Sequence, residues 1–321
     1  MNGPRQSDRT RDAATFFTGS RLTLARHLAG LRKNALAERI GKTPTAVTAF
    51  ESGTKRPSPR TVALLALALG VEPTFFMVNS TDLRAESGPP HFRSLRSTTQ
   101  LARDQAHAYG LLAIDVATAL ERHVEFPPRD VPTALVDPED LDESGPEDAA
   151  RRVRAQWGLP AGPVGHLVRI AEHHGVLVVF SPVQTASVDA YSIDTPARPV
   201  VLLNPLKHDY FRQRFDLAHE LGHLVMHGDA EPGGRLVEEQ ANRFAAELLM
   251  PATELRHLLP RRADWLTLGR LKEQWNVSLQ ALLFRARRLG VMNEVTYRNA
   301  MTAVSAKGWR RREPGPMPPV E

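Results

Sequence analysis

Residues 214–223 read Arg214-Phe215-Asp216-Leu217-Ala218-His219-Glu220-Leu221-Gly222-His223. On a helix, residues i and i+4 share a face, so the imidazoles of His219 and His223 can both reach one metal ion. Glu220, beside the first of them, then projects to the side where a water on that ion would sit. The stretch predicts a metal centre built on a helix, with Glu220 placed to take a proton rather than to hold the ion.

Two histidines leave a zinc ion short of a third protein ligand. Residues 238–251, EEQANRFAAELLMP, offer a carboxylate on a second amphipathic helix. Glu238 shares a stripe with Asn242, Ala245 and Leu249, whereas Glu239 lines up with Arg243 in a solvated i,i+4 ion pair. Glu238 is therefore the inward carboxylate. Asn242, one turn further on, can orient a ligand from behind. A set of two histidines and one glutamate keeps a fourth position for water, the arrangement of a catalytic rather than a structural zinc site.

His-Glu-x-x-His is the spacing of zinc-dependent peptidases. RFDLAHELGHLVMH followed by EEQANRFAAELLMP resembles the ImmA/IrrE family of zinc metallopeptidases. The second helix of that family usually reads E-x-E-A-N-x-F-A-x-x-L-x-M-P; Gln240 stands here at the second Glu, which favours Glu238 as the ligand. The resemblance implies one zinc ion per chain on His219, His223 and Glu238, with Glu220 as general base.

The chain has 321 residues, 42% of them hydrophobic, enough for two or three compact units with ordinary cores. It has no cysteine, which excludes disulfides and thiolate metal sites and suits a cytoplasmic setting. The N-terminal stretch has no apolar core of the secretory kind, and no run approaches the length that spans a bilayer, so no membrane partner is expected. Residues 1–80 carry 12 Lys/Arg against 5 Asp/Glu, a net +7 that leaves −2 for the rest of a chain whose total is +5. A basic module joined to a near-neutral one is the electrostatic footprint of nucleic-acid binding.

Residues 21–76 read as five short helices. The second, residues 34–40, closes on Gly41, which suits the left-handed conformation that ends helices. Thr43 is then a good N-cap, Pro44 fits the first helical position, and Val47 and Phe50 face inward at i,i+3. Thr45, Ala46, Thr48 and Ala49 form the exposed edge, small enough to enter a major groove, while Lys33, Lys42, Lys55, Arg56 and Arg60 can clamp phosphates. This string resembles the XRE-type helix-turn-helix domains, with Lys33 where that family usually has Gln. The resemblance implies a double-stranded DNA operator as partner.

The whole is expected to be mainly α with a small β-sheet: an all-α helix-turn-helix domain and an α+β zincin-like metallopeptidase domain. The expected boundaries are a disordered N-terminus at 1–18, the DNA-binding domain at 19–79, a linker and long helix at 80–147, the peptidase domain at 148–308 and a disordered tail at 309–321. Residues 79–91 read as a connector. In the long helix, residues 98–125, Leu111, Ile114, Val116 and Leu120 can pack against a neighbour or a second subunit, which would make a homodimer. Residues 126–148, with five prolines and many acids, read as a solvated hinge. Helices are expected at 149–157 and 163–174, and strands at 175–180 and 199–203. Residues 188–193 are the candidate edge strand for a peptide substrate, with Tyr191 as a candidate oxyanion donor weighed against a half-buried strand tyrosine. His173, His174, His208 and His227 are not expected to be ligands, His227 lying a further turn along the helix. Residues 266–289 mimic a second helix-turn-helix and read as structural.

Two functions fit. One is a zinc endopeptidase that cleaves a regulatory protein, which the resemblance implies to be a repressor or antitoxin. The other is a transcription regulator that uses a non-catalytic zinc-protease fold to sense a metal or ligand. Glu220 favours the enzyme, because holding a metal requires no general base.

Overall fold

The computed structural model describes residues 6–77, 91–92, 99–137, 145–181, 190–205, 210–228 and 234–315. It is mostly helical with one small mixed sheet, and it divides into two compact units: Met1–Glu86 with Ser97–His123, and Ser87–Arg96 with Val124–Glu321. No helix among the described residues is long and apolar enough to cross a membrane.

In the first unit the helices are α1 (Gln6–Thr15), α2 (Gly19–Leu28), α3 (Lys33–Arg39), α4 (Pro44–Glu51) and α5 (Pro59–Leu69), followed by a single 3-10 turn, Pro73–Met77. Gly41 has φ +61° and closes α3, and the Thr43 side chain accepts from the Ala46 N–H at 3.2 Å with Pro44 in the first turn of α4. Leu22, Leu36, Val47, Phe50, Val62, Leu65 and Phe76 fill the core. Arg26 grips Glu51 through Nε (2.6 Å) and Nη2 (3.2 Å), tying α2 to the end of α4.

Two expectations are corrected in this unit. The N-terminus is ordered from Gln6: α1 turns Thr10 and Ala13 inward, Ala13 is fully buried, and Phe17, just after the helix, packs against Phe76 with ring centroids 5.5 Å apart. So short a stripe is easily read as polar chain. After the two-residue strand β1 (His91–Phe92), the long helix α6 (Gln100–Leu120) joins the first unit rather than serving as a linker. It packs on α2 through the small residues Ala106 and Gly110 together with Ile114 and Ala117, while Val116 and Leu120 face outward. Arg21 pairs with Asp115, and Gln105 Nε2 donates to Leu28 O at 2.9 Å. Residues 79–90 of the expected connector lie outside the described residues.

The second unit continues with α7 (Gly145–Gln156), α8 (Leu167–His173), β2 (Leu177–Phe180), β3 (Ala190–Ile193), β4 (Val200–Leu203), α9 (Tyr210–Met226), α10 (Arg235–Leu249), α11 (Ala252–Leu255), α12 (Trp265–Trp275), α13 (Leu279–Arg288) and α14 (Glu294–Ala306). The strand order is β1-β3-β4-β2, with β2 parallel to β4 and the other two pairings antiparallel. β3 and β4 are buried along their whole length; β4 is a continuous apolar run, and β3 carries one polar residue, Ser192. β3 is thus an inner strand here, not the free edge expected, because β1 covers its outer side.

As far as Asp137, where the described residues break off until 145, the proline-rich stretch is a packed strap rather than a solvated hinge. Backbone N–H groups of Asp130, Ala134 and Val136 donate to the carbonyls of His174 (2.9 Å), Val225 (2.9 Å) and Met226 (3.1 Å). Val131, Ala134 and Val136 join the core between prolines that hold the chain extended. The His174 ring, stacked 4.5 Å from Trp157, bonds the Asp130 carboxylate at 2.8 Å and holds that carboxyl below its ordinary value. The tail is also fixed as far as Gly315. Trp309 stands edge-on to Trp265 at 5.2 Å, and the Glu313 carboxylate accepts from Lys272 Nζ (2.9 Å) and from the Leu279 N–H (2.8 Å) at the start of α13.

Candidate metal centre and recognition helix

The central helix α9 is buried at almost every position, which makes it the spine of the second unit. α10 crosses it through Val237, Ala241, Phe244, Ala245 and Leu248. Phe244 packs over Gly222, between the two histidines of the motif. A Cβ there would stand 3.0 Å from the Phe244 ring, so a larger residue would require that ring to shift.

That approach brings Glu238, near the start of α10, over the histidine pair. His219 Nε2 and His223 Nε2 lie 3.1 Å apart, and the Glu238 carboxylate oxygens lie 3.4 Å from the first and 3.6 Å from the second. A tetrahedral ion with bonds of about 2.05 Å to nitrogen spaces its ligands about 3.3 Å apart. The two histidine nitrogens are therefore set near the edge length of one zinc tetrahedron, with one Glu238 oxygen close to each, and among the described residues these three form the only His/Cys/Asp/Glu group of three that could hold a metal ion.

The hydrogen bonds behind the cluster fix its chemistry. Gln240 Nε2 donates to Asp137 O at 3.0 Å, so its Oε1 must accept from His227 Nε2–H, also at 3.0 Å. His227 Nδ1 then carries a lone pair and accepts from His223 Nδ1–H at 2.9 Å, which leaves the lone pair of His223 on Nε2. His219 Nδ1–H donates to Asn242 Oδ1 at 3.1 Å and likewise keeps its lone pair on Nε2. Two lone pairs facing each other beside a carboxylate repel unless a cation lies between them, so the donor set fits a metal. The sequence reading leaves His227 out of the ligand set, one turn further along the helix, and gives Asp137 and the Gln240 amide no part in the site. The spacing of His227 at i+4 from His223 was the available signal.

Glu220 is fully buried and accepts from the Ser192 hydroxyl of β3 at 2.8 Å. Nothing in the sequence distance between Ser192 and Glu220 announces this contact. Tyr191, the candidate oxyanion donor, is 2% exposed inside the sheet, fully buried rather than the half-buried strand tyrosine weighed against that role. His173 and His174 lie at the end of α8, apart from the cluster, and His208 lies outside the described residues.

Glu239 points away from the cluster as expected, but its partner differs. Arg243 grips Glu147 of α7 with two bonds (3.0 and 2.6 Å), while Glu239 sits 3.5 Å from Arg288 of α13. Tertiary partners with better geometry displace the i,i+4 pair. The neighbouring Glu247 is buried and receives Arg285 of α13 as well as Arg151 at 3.3 Å, and Arg285 Nε also donates to Met250 O at 3.0 Å. The helix-turn-helix mimic, α12 and α13 with Asn276 at φ +52° between them, thus braces α10 from behind.

In the first unit α4 presents Thr45 and Thr48 to solvent, whereas Ala46 and Ala49 are half-buried, Ala46 against the core. Lys42, Lys55 and Arg60 are exposed around it. Lys33 and Arg56 are engaged within the unit: Lys33 Nζ lies 3.3 Å from Glu51, and Arg56 Nη1 donates to Thr15 O at 2.8 Å. Glu51 and the end of α1 are features that the pattern of basic residues alone does not reveal.

Residues 171–287 match the IrrE N-terminal-like domain of the M78 peptidase family, and residues 23–76 match a helix-turn-helix family. No curated protein matches the chain. The first match runs from α8 through α13 and contains the whole cluster; the second spans α2 to the turn after α5. The chain joins a DNA-binding helix-turn-helix domain to an IrrE N-terminal-like domain of a metallopeptidase family, in which His219, His223 and Glu238 can hold one metal ion.

Proposed function

We propose that the protein is a zinc-dependent endopeptidase carrying its own sequence-specific DNA-binding domain, and that it cleaves a regulatory protein, a repressor or antitoxin, to control transcription. The convergence of two histidine nitrogens 3.1 Å apart with a carboxylate that sets one oxygen close to each, and a buried glutamate beside the first histidine, is the observation that carries this reading. A bound zinc ion supplies a Lewis acid that polarises the scissile carbonyl and acidifies water.

The chain's own groups do the rest. Glu220 takes a proton from the attacking water and returns it to the leaving nitrogen, and the Ser192 hydroxyl keeps that carboxylate in one rotamer. Asn242 and the His227–Gln240 pair hold both ligand rings with Nε2 toward the ion. α4 lies in the major groove with Thr43 at its N-terminus, Thr45 and Thr48 reading base edges and Ala46 and Ala49 in apolar contact beside them. Lys42, Lys55 and Arg60 hold phosphates, with Lys33 and Arg56 sharing that role through charges already partly engaged in the unit.

Glu220→Gln separates the enzyme from the sensor reading. The variant keeps every ligand and a similar shape but cannot take the proton. A cell carrying it should accumulate an uncleaved regulator and respond as a deletion does, with operator binding intact. A wild-type transcriptional response with an unchanged set of protein termini would leave only the non-catalytic sensor.

A further inference from the structure

The near-neutral charge outside the first 80 residues hides a second imbalance. Residues 256–312 carry 13 Lys/Arg against 3 Asp/Glu, a net +10 that exceeds the +7 of residues 1–80 over a shorter stretch. That stretch comprises α12, α13 and α14 with the turns around them. Part of the charge is internal: Lys272 and Arg285 are buried against Glu313 and Glu247, while Arg287, Arg288 and Arg298 face Glu294 or Glu239. Arg261, Arg262, Lys307, Arg310, Arg311 and Arg312 are different. All six are exposed, and none makes an ion pair among the described residues.

Two basic runs far apart in sequence meet here. Arg261 and Arg262 stand just before Trp265, Arg310 to Arg312 follow Trp309, and the two indole rings stand edge-on with centroids 5.2 Å apart. The second run is no loose tail. The N–H groups of Arg311 and Arg312 both turn back to Gly308 O, at 3.1 and 3.4 Å, so the three arginines fan from one tight turn. Trp309 anchors that turn on one side; on the other Glu313 accepts from Lys272 Nζ (2.9 Å) and the Leu279 N–H (2.8 Å). The carboxylate nearest the first run in sequence, Asp264, caps α12, accepting from the N–H groups of Leu266 (3.1 Å) and Thr267 (3.2 Å) and from the Thr267 hydroxyl (2.7 Å). The surface therefore keeps an uncompensated positive charge on a fixed frame, which loses little freedom on binding.

A group of cations of this size fits a polyanion, and arginine in particular fits phosphate. Stacking on bases is not on offer, because Trp265 and Trp309 pack on each other and Lys307 Nζ lies 5.1 Å over the Trp309 ring. What remains is charge spread along a surface, the complement of a phosphate backbone. We propose that this surface binds duplex DNA by its phosphates and gives the second unit a sequence-independent grip of its own. The proposal rests on the helix-turn-helix reading, which brings the chain to DNA in the first place. Once α4 is engaged, the second unit is tethered near the duplex at an effective concentration in the millimolar range, so a few phosphate contacts too weak to act alone suffice.

Two variants of the full chain test it: Arg261→Gln with Arg262→Gln, and Arg310→Gln with Arg311→Gln and Arg312→Gln. A control, Arg152→Gln with Arg169→Gln and Arg235→Gln, removes three exposed cations from elsewhere in the same unit. Binding is measured against salt on operator duplex and on duplex of unrelated sequence. With about 0.9 of slope lost per phosphate contact, the plot of log affinity against log salt should flatten by about 2 in the pair and about 3 in the triple. Both duplexes should show this, with the operator preference unchanged. The control should keep the wild-type slope, and Arg310→Lys with Arg311→Lys and Arg312→Lys should keep most of it, which separates lost charge from lost fold.

Wild-type slopes in both glutamine variants overturn the proposal, and so does a control that flattens equally, since net charge alone would then explain the effect. Tighter binding to single-stranded oligothymidylate than to duplex overturns it too, as does arginine-dependent binding to phosphatidylserine vesicles with the duplex slope unchanged. A wild-type chain that binds no duplex at all overturns the α4 reading as well. Operator preference that depends on Thr45 and Thr48, in a chain whose glutamine variants keep their slope, overturns this proposal alone.

Discussion

Replacing Gln240 with leucine breaks the relay behind His223 while leaving every metal ligand in place. In the wild type, Asp137 O fixes the amide, the amide fixes His227, and His227 fixes the tautomer of His223. Leucine removes the acceptor for His227 Nε2–H, so His227 can turn the wrong nitrogen toward His223 and the Nε2 lone pair is no longer imposed. Two neutral hydrogen bonds are lost from the ligand's support, each contributing about 1 kcal/mol. About 2 kcal/mol corresponds to a roughly thirtyfold weaker zinc affinity, inside the ten- to hundredfold range usual for groups behind a ligand. The assay is zinc competition against a chromophoric chelator at fixed pH, with a thermal melt of the metal-free protein to separate metal loss from unfolding. Gln240→Glu keeps the acceptor and should fall closer to wild type than the leucine variant. Wild-type affinity in Gln240→Leu would refute the tautomer argument.

His219→Ala, His223→Ala and Glu238→Ala should each purify without zinc, whereas Glu239→Ala should keep it, since Glu239 faces Arg288; elemental analysis of the four proteins decides this. Gly222→Ala should cost about 1–3 kcal/mol of stability, because its methyl meets the Phe244 ring at 3.0 Å, and a chemical denaturation midpoint equal to wild type would contradict the close approach of α10. Lys55→Gln or Arg60→Gln should each lower the salt slope of operator binding by about 1, while Lys33→Gln, whose charge is shared with Glu51, should lower it less. Thr45→Ala with Thr48→Ala should instead relax sequence preference, and a variant that changes only the salt slope would count against base readout by α4.

The metal site was legible because its information is local. His219 and His223 lie within one helical turn, and the choice of Glu238 over Glu239 follows from which stripe of an amphipathic helix turns inward. The helix-turn-helix was legible for the same reason: a glycine, a capping threonine and a proline in succession specify the turn without reference to anything distant. What escaped is non-local. Ser192 meets Glu220, Arg243 meets Glu147, and Glu313 caps α13, each across a stretch of chain over which no pattern repeats. Polar composition misled in three places, at α1, the strap and the tail. In each a few apolar side chains, Ala13, Val131 or Trp309, find the core although their neighbours are charged or proline. The occupancy of the β3 edge belongs to the same class, since only tertiary pairing reveals that His91 and Phe92 form a strand.

Diffraction from crystals grown with zinc, with anomalous data collected at the zinc edge, tests the central claim most directly. One anomalous peak per chain is predicted, at about 2.0–2.2 Å from His219 Nε2, His223 Nε2 and a Glu238 oxygen, with both Nδ1 atoms still turned to Asn242 and His227. A chain without a peak there, or with its ion on Nδ1, His227 or Glu239, would contradict it.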